Sequence, residues 1–214
     1  MNTSNYSGNI ILTGMPGSGK TNIGKKLARE LGINFCDFDD DVLEKITLET
    51  AEEAIGVLNL RNTGLIPENL SYREVKDLLE QLGDDKFLEL EGFMGKNLNF
   101  EYQTVLSTSG SLPLRLEAMS HLKEKGKVIY IDIPIELIIS RLGEMKTDRI
   151  IGMGNMTLEK ILEDRDRFYR QSKDLNFKVP SFEARLGKTQ EERDKEKEIV
   201  FRNFMEFYRA NIGN

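Results

Sequence analysis

A glycine-rich stretch early in the chain carries the residue types that bind phosphate. It reads Gly14-Met-Pro-Gly-Ser-Gly-Lys-Thr21 and matches the pattern G-x-x-x-x-G-K-[ST]. Glycines let the backbone wrap closely, so that successive N–H groups point at phosphate oxygens. Lys20 adds a positive charge, and the hydroxyl of Thr21 is a ligand for Mg²⁺. We therefore expect ATP with Mg²⁺ to contact Gly14, Pro16, Gly17, Ser18, Gly19, Lys20, Thr21 and Asn22.

Two carboxylates follow the next apolar run of the chain. Asp37 and Asp39 lie two residues apart, just past residues 33–36. In that arrangement one carboxylate can face Mg²⁺ while the other receives an incoming hydroxyl. Asp40 and Asp41 continue the acidic run, and Asp also favours the first turn of a helix. Catalytic and helix-capping roles are both open at this point.

The elements that must position these residues alternate between two patterns. Short apolar runs bounded by Gly, Pro or polar residues predict buried strands at 9–13, 33–36, 104–108, 127–133 and 175–179. Between them, helical periodicity predicts helices at 21–31, 40–58, 72–82, 87–98, 114–125, 134–142, 158–172 and 191–211. This alternation indicates an α/β fold, in which helices cover both faces of a parallel sheet.

One long segment interrupts the alternation. Residues 40–102 separate the second predicted strand from the third and carry only helical and loop signals. We interpret them as a helical substrate-binding lobe within a single domain spanning residues 1–214. Residues 62–69 are rich in turn residues and predict a loop inside this lobe.

Composition restricts the classes of partner and the cellular compartment. The formal net charge is −6 and no stretch concentrates Lys or Arg, which argues against nucleic acid. A single Cys and a single His leave no set of zinc ligands and favour a reducing compartment. No apolar stretch approaches the roughly 20 residues that span a bilayer. With a polar start that lacks signal-peptide features, we expect a cytoplasmic protein, a monomer or weak dimer, without a membrane partner.

Several motifs, in order, resemble those of the shikimate kinase family. The loop and helix Gly19-Lys-Thr-Asn-Ile-Gly-Lys-Lys-Leu-Ala-Arg-Glu-Leu-Gly32 are followed by Phe35-Cys-Asp-Phe-Asp39, as in the family's D-x-D. Gly83-Asp-Asp-Lys-Phe-Leu-Glu-Leu-Glu91 resembles G-E-x-x-F-R-x-x-E, and Val105-Leu-Ser-Thr-Ser-Gly-Ser111 resembles a strand that ends in three glycines. Arg149-Ile-Ile resembles the lid sequence R-P-L, and Arg165-Asp-Arg-Phe-Tyr169 resembles R-x-P-L-Y.

This resemblance implies a fold and an activity. The fold is a P-loop kinase fold, with a five-stranded parallel sheet of order 2-3-1-4-5 sandwiched by helices, a substrate-binding lobe and a closing lid at residues 143–157. The activity is ATP-dependent phosphoryl transfer to a hydroxyl of a small metabolite, with shikimate as the leading candidate.

The resemblance also implies residue roles. Asp37 would hold Mg²⁺ with Thr21, and Asp39 would contact the acceptor hydroxyl and serve as the base. Lys20 and Arg149 would stabilise the charge on the transferring group. Arg141 would lie beside the adenine. The acceptor would contact Ser109, Gly110, Ser111 and Arg165.

Departures from the family pattern concentrate at the acceptor site. The arginine of F-R-x-x-E, which pairs with the substrate carboxylate, is replaced by Leu88. An alkyl chain cannot replace a planar fork that binds a carboxylate in two places. Two of the three glycines are Ser109 and Ser111. The separation of Asp39 from Leu88 exceeds that of the family, so we expect an insertion at about residues 45–70.

Three hypotheses follow from these departures. Another cation could restore carboxylate binding for shikimate, the candidates being Arg61, Arg73 and Lys86. Alternatively, the pocket is retuned for a different small hydroxyl compound. In the third hypothesis the chain is a nucleotide-binding regulator without phosphoryl transfer. The catalytic residue types of the family are all present and only specificity positions differ, which favours an enzyme.

Overall fold

Five strands form a parallel sheet at the centre of the molecule. The structure, a computed structural model, describes residues 8–43, 75–142, 150–151, 156–182 and 188–213. Its strands are β1 (Asn9–Thr13), β2 (Asn34–Asp37), β3 (Thr104–Ser107), β4 (Gly126–Asp132) and β5 (Leu175–Lys178). All neighbours pair in parallel, in the order β2-β3-β1-β4-β5. The predicted α/β fold and strand order are confirmed.

The register aligns the carboxyl ends of three strands. Leu12 of β1 pairs with Ser107 of β3, and Asp37 of β2 pairs with the same serine. The segments that follow these strands therefore leave the sheet at one edge. They are the glycine-rich loop, the acidic run and the Ser109-Gly-Ser111 segment, which the sequence alone places far apart.

Seven α-helices in the described residues surround the sheet. They are α1 (Lys20–Leu31), α2 (Val75–Leu82), α3 (Asp84–Asn97), α4 (Leu116–Lys125), α5 (Ile135–Leu142), α6 (Leu158–Ser172) and α7 (Gln190–Asn211) in the described part of the chain. Local sequence sets several boundaries. Thr157 caps α6 by accepting a hydrogen bond from the amide of Lys160, and Thr189 forms a capping box with Glu192 at the start of α7. Gly32 ends α1 in the left-handed conformation, with φ of 67°.

Both faces of the sheet are buried. Ile10 and Leu12 of β1 pack in one cluster with apolar residues of α1, α5, α6 and α7. Ile11 points to the other face and packs in a second cluster with apolar residues of α2, α3 and α4. A buried Ile or Leu stabilises the fold by about 1.5–3 kcal/mol. A continuous apolar run such as β1 is therefore the expected sequence of a central parallel strand.

Only the start of the segment after β2 is described. The sequence predicted a helix over 40–58, whereas Phe38–Leu43 form a short π-helical turn, and residues 44–74 lie outside the described part. The whole of the insertion expected at about residues 45–70 therefore lies outside the described part of the chain. No helix among the described residues has the length and apolarity needed to cross a membrane.

Candidate active site

A cavity of about 520 Å³ opens where β1, β2 and β3 end. The glycine-rich loop, the acidic turn and the segment after β3 contribute to its wall. α3, α5, α6 and α7 complete the wall. The lining residues are Pro16, Gly17, Ser18, Gly19, Lys20, Thr21, Asn22, Ile23, Asp39, Phe87, Glu91, Thr108, Ser109, Gly110, Ser111, Arg141, Leu142, Ile150, Arg165, Lys197 and Val200.

The glycine-rich loop has the backbone that an anion site requires. Gly19 is the N-cap of α1 at φ 94°, and no side chain caps the helix. Its first amides are therefore left for another acceptor, and the helix dipole favours an anion there. A Cβ at Gly14 would lie 2.9 Å from Ser18 Oγ and 3.0 Å from the carbonyl oxygen of Ile131. Gly14 thus supports the loop from behind the cavity rather than lining it.

Lys20 lies across this loop in a buried position. Its Nζ donates to the carbonyl oxygens of Gly14, at 2.7 Å, and Met15, at 3.2 Å. Burial lowers the pKa of Lys20 to about 8, against the opposing influence of Asp39 and Asp37. The two carbonyls hold an ammonium at the wall of the cavity, beside the free helix amides.

Oxygen atoms suited to Mg²⁺ meet beside the loop. Thr21 Oγ1 donates to Asp37 Oδ2 at 2.8 Å and lies 3.4 Å from Ser107 Oγ. Mg²⁺ prefers such hard oxygen ligands and usually takes one or two from the protein, the rest coming from water and phosphate. Within the described residues no group of three or more His, Cys, Asp or Glu could hold a metal by itself. The donor set at Thr21 and Asp37 therefore fits a magnesium ion that also binds phosphate.

The carboxylates of the acidic turn differ in their positions and hydrogen bonds. Asp37 Oδ1 accepts the amide of Asp39 at 3.1 Å, and Asp41 Oδ2 accepts the amide of Asp37 at 2.8 Å. Phe38 between them is fully buried in the second cluster. Asp37 and Asp41 thus cap the turn and Asp40 is exposed, whereas Asp39 lines the cavity. Of these four acids, Asp39 is the one among the lining residues, and the family resemblance implies that it serves as the base.

Glu91 is a buried acid that the sequence did not identify as a site residue. The hydroxyls of Ser109, at 2.6 Å, and Ser111, at 2.9 Å, both donate to its Oε1. Burial raises the pKa of Glu91 to about 7, and Asp39 raises it further, while the serine hydrogen bonds and Arg165 oppose the shift. The sequence signal that could have identified it is its place in the segment Phe87-Leu-Glu-Leu-Glu91, which resembles the family's F-R-x-x-E.

Arg165 and Tyr169 lie one turn apart on α6 and face the same region. Arg165 lines the cavity, and its Nη2 donates to the carbonyl oxygen of Ile151 at 2.9 Å. The Tyr169 hydroxyl donates to the carbonyl oxygen of Gly110. Burial raises the pKa of Tyr169 above its ordinary value, so the phenol stays a neutral donor. α6 therefore holds the segment after β3 and presents a cation beside it.

α5 and α7 form another part of the wall, beside the glycine-rich loop. Arg141 Nη1 donates to the carbonyl oxygen of Gly17 at 2.9 Å, so this arginine also supports the loop. Lys197 and Val200 of α7 line the cavity. The sequence predicted a helix at 191–211 and identified no site residue in it. Its mixed charged and apolar pattern carried no signal that one face reaches the cavity.

Other predicted positions lie away from the cavity or outside the described residues. Leu88 is half-buried and packs against the second cluster. Lys86 is exposed, and neither it nor Leu88 is among the residues that line the cavity. Arg149 and most of the proposed lid at 143–157 lie outside the described part, as do Arg61 and Arg73.

Most of the chain matches a known protein family. A family model for shikimate kinase matches residues 16–56 and 64–201. Shikimate kinase of Bacteroides fragilis is 30% identical over 169 residues, which cover 76% of this chain and 80% of that protein. Threonine synthase-like 1 of Homo sapiens is 36% identical over 165 residues, again 76% of this chain. The match covers only 19% of that relative, so the chain spans about a fifth of its length.

Solved structures show the same fold. Shikimate kinase from Acinetobacter baumannii in complex with shikimate is 24% identical, with a TM-score of 0.59, and the match covers 95% of this chain and 96% of that one. Shikimate kinase from Bacteroides thetaiotaomicron is 22% identical, with a TM-score of 0.61, and covers 94% and 97%. Because the family model matches most of its length, the chain belongs to the shikimate kinase family.

Proposed function

We propose that the chain transfers the terminal phosphoryl group of ATP to a hydroxyl of a small compound. The observation that carries this proposal is a single cavity wall that includes Lys20, the open amino end of α1 and the carboxylate of Asp39. Phosphoryl transfer needs positive charge around the phosphates and a carboxylate at the attacking hydroxyl. Membership of the shikimate kinase family supports the same chemistry.

In this mechanism the loop amides and Lys20 bind the phosphates of ATP, and Asp39 orients the acceptor hydroxyl. The hydroxyl oxygen forms a bond to the terminal phosphorus while the bond to the oxygen of ADP breaks. The hydroxyl proton passes to Asp39. Thr21 and Asp37 would hold Mg²⁺, which would supply further neutralisation of phosphate charge.

The lid completes the proposal. Arg149 lies outside the described residues, and we assign it the stabilisation of charge on the transferring group. Ile150 lines the cavity and the carbonyl of Ile151 accepts a hydrogen bond from Arg165, so this end of the proposed lid contacts the acceptor side. Closure there would exclude water, which otherwise competes as the phosphoryl acceptor.

Shikimate is the reference acceptor, because a solved relative binds it. A second candidate is a different small alcohol. It is favoured by Leu88, which packs against the apolar cluster at the position where the family pattern has a carboxylate-binding arginine. The two candidates share the same phosphoryl-transfer machinery and differ only at the acceptor.

The test is ADP release by the full chain with Mg·ATP and a panel of shikimate, quinate, gluconate and simple amino-alcohols. We expect release that depends on one class of acceptor. Asp39→Asn should lower kcat at least ~100-fold and leave ATP binding intact, because removal of a positioned base has effects of this size. Asp40→Asn, an exposed neighbour, is the matched control and should retain activity. Nucleotide binding without acceptor-dependent release would instead support a regulator.

A further inference from the structure

One carboxylate oxygen of Glu91 lacks a hydrogen-bond partner within the described part of the chain. Glu91 is fully buried and lines the cavity, and its Oε1 accepts both serine hydroxyls. Its Oε2 is buried without a partner among those residues. A buried carboxylate oxygen left unpaired is costly, so such groups in native proteins call for an explanation. The cavity beside it suggests that a bound molecule supplies the donor.

The serine network fixes which kind of group this oxygen can bind. Ser109 Oγ accepts the amide of Leu112 at 3.0 Å, which directs its hydroxyl proton toward Glu91. Ser111 adds a second donor to the same oxygen. Hydrogen bonds from donors favour the ionised carboxylate over the acid. Burial opposes this preference by raising the pKa of Glu91, and a cation at Oε2 would favour the ionised form again. In the ionised form Oε2 accepts a hydrogen bond, so its ligand carries N–H or O–H.

The charges on the acceptor side favour a cationic donor. Of the two arginines among the described lining residues, Arg141 is bonded to the Gly17 carbonyl beside the glycine-rich loop, and Arg165, on the acceptor side, donates to the Ile151 carbonyl. Lys197 belongs to the wall beside the glycine-rich loop, so the carboxylates of Asp39 and Glu91 have one guanidinium on the acceptor side. Lys20 is held by two loop carbonyls. Leu88 adds no charge. An acceptor whose only charge is a carboxylate would bring a third anion to this side, whereas an ammonium would balance it.

We propose that Glu91 binds an ammonium group of the phosphoryl acceptor, so that the substrate is an amino-bearing alcohol. If the substrate also carries a carboxylate, Arg165 binds it. This inference rests on the proposed phosphoryl transfer and names the class of its acceptor. It makes Glu91 a specificity-determining residue, with Ser109 and Ser111 as positioning residues.

Matched pairs of acceptors test the proposal on the unaltered full chain. Homoserine, serine and ethanolamine are compared with their deaminated counterparts and with shikimate, by kcat/KM from ADP release. We expect at least one amino-bearing alcohol to exceed its deaminated counterpart ~100-fold and to exceed shikimate. Equal turnover within every pair, or preference for shikimate, overturns the inference but leaves the proposed transfer intact. Absence of transfer to all of them overturns both.

A variant assigns the effect to Glu91. Glu91→Gln keeps the shape and an oxygen for the serines but removes the charge. We expect KM for the amino-bearing acceptor to rise ~10-fold or more, while KM for ATP stays unchanged. The Ser111→Ala variant keeps the carboxylate and should raise KM for the same acceptor by a smaller factor. If Glu91→Gln has no effect on the ratio within a matched pair, Glu91 is not the ammonium site.

Discussion

The buried carboxylates of Asp37 and Glu91 have different hydrogen-bond partners, which indicates different roles. Asp37 caps the turn after β2 and accepts the hydroxyl of Thr21, so its oxygens are engaged inside the protein. Glu91 lines the cavity; its Oε1 accepts two serine hydroxyls, and its Oε2 is buried without a partner among the described residues. A fold gains little from a buried carboxylate that is only partly paired. Selection for binding explains Glu91 better than selection for stability.

The buried carboxyl of Glu91 predicts a pH dependence of stability. Its pKa is raised from 4.5 to about 7, mainly by burial. Below about pH 4.5 the carboxyl is protonated in both the folded and the unfolded state. As pH rises from there, the unfolded state releases the proton first, so the free energy of unfolding falls until the folded state has also released it, above about pH 7. Glu91→Gln should avoid this loss. Its free energy of unfolding should exceed that of the wild type by about 3 kcal/mol at about pH 8, and the excess should vanish near pH 4.

Denaturant titration across this pH range measures the difference. Glu89→Gln on the same helix is the matched control, because Glu89 is exposed, and its stability should follow the wild type. A difference between Glu91→Gln and wild type that stays constant with pH would contradict the assignment.

Lys20 predicts a kinetic effect at the residue scale. Lys20→Ala removes the ammonium that two loop carbonyls hold beside the helix amides. We expect kcat/KM for ATP to fall ~100- to 1000-fold, the loss seen when one charge-stabilising group is removed. Lys25→Ala, an exposed lysine on the same helix, is the control and should change the rate little. An unaltered rate in Lys20→Ala would remove this lysine from the mechanism.

Residue spacing predicted part of the site and missed part. Asp39, Arg141, Arg165 and the Ser109-Gly-Ser111 segment line one cavity, and the roles that the family resemblance implies for them stay predictions. Glu91 was not identified as a site residue, because it is distinguished by hydrogen bonds from Ser109 and Ser111, and the sequence does not show these contacts. Lys197 and Val200 were missed because a helix pattern reveals an apolar face but not which cavity that face borders.

Among the elements, the segment after β3 depends on close contact with the glycine-rich loop. A Cβ at Gly110 would lie 2.7 Å from Pro16 Cγ, so Gly110→Ala must push the two segments apart. We expect a loss of about 1–3 kcal/mol in the free energy of unfolding and a rise in KM for both substrates. The Pro16→Ala change made in the same chain should recover most of that loss, because it removes the contacting ring. A double-mutant cycle on unfolding measures the coupling.

The sequence predicted strands and helices best where burial alone determines the residue pattern. β1 is apolar throughout, and burial on both faces explains that run. Of the helix predicted over 40–58, the structure describes residues 40–43, which lie in the π-helical turn Phe38–Leu43; acids at a helix start and acids that cap a turn look alike in a sequence. Only the hydrogen bonds of Asp37 and Asp41 distinguish the two.

Over the whole molecule, parallel topology brings distant segments together. The register of β1, β2 and β3 sets their carboxyl ends at one edge, where ligands of open α/β sheets bind. α7, close to the end of the chain, adds a wall to the same cavity. Binding there should therefore stabilise the entire fold and not one segment.

Thermal unfolding measures how much a bound ligand stabilises the fold. Mg·ATP at about 100 times its Kd should stabilise the chain by about 2.7 kcal/mol, which raises Tm by roughly 5–10 °C for a domain of this size. Adenosine at the same concentration is the control and should shift Tm far less, because it lacks the phosphates that the loop binds. Equal shifts with both ligands would contradict binding through the phosphates.

The most direct measurement of the central claim is phosphorus NMR of the full chain with Mg·ATP and the acceptor panel. We predict a new phosphate monoester signal that grows in step with ADP for at least one alcohol and is lost in Asp39→Asn. Growth of ADP with inorganic phosphate alone, or a spectrum that stays that of ATP with every alcohol, would contradict phosphoryl transfer to a hydroxyl.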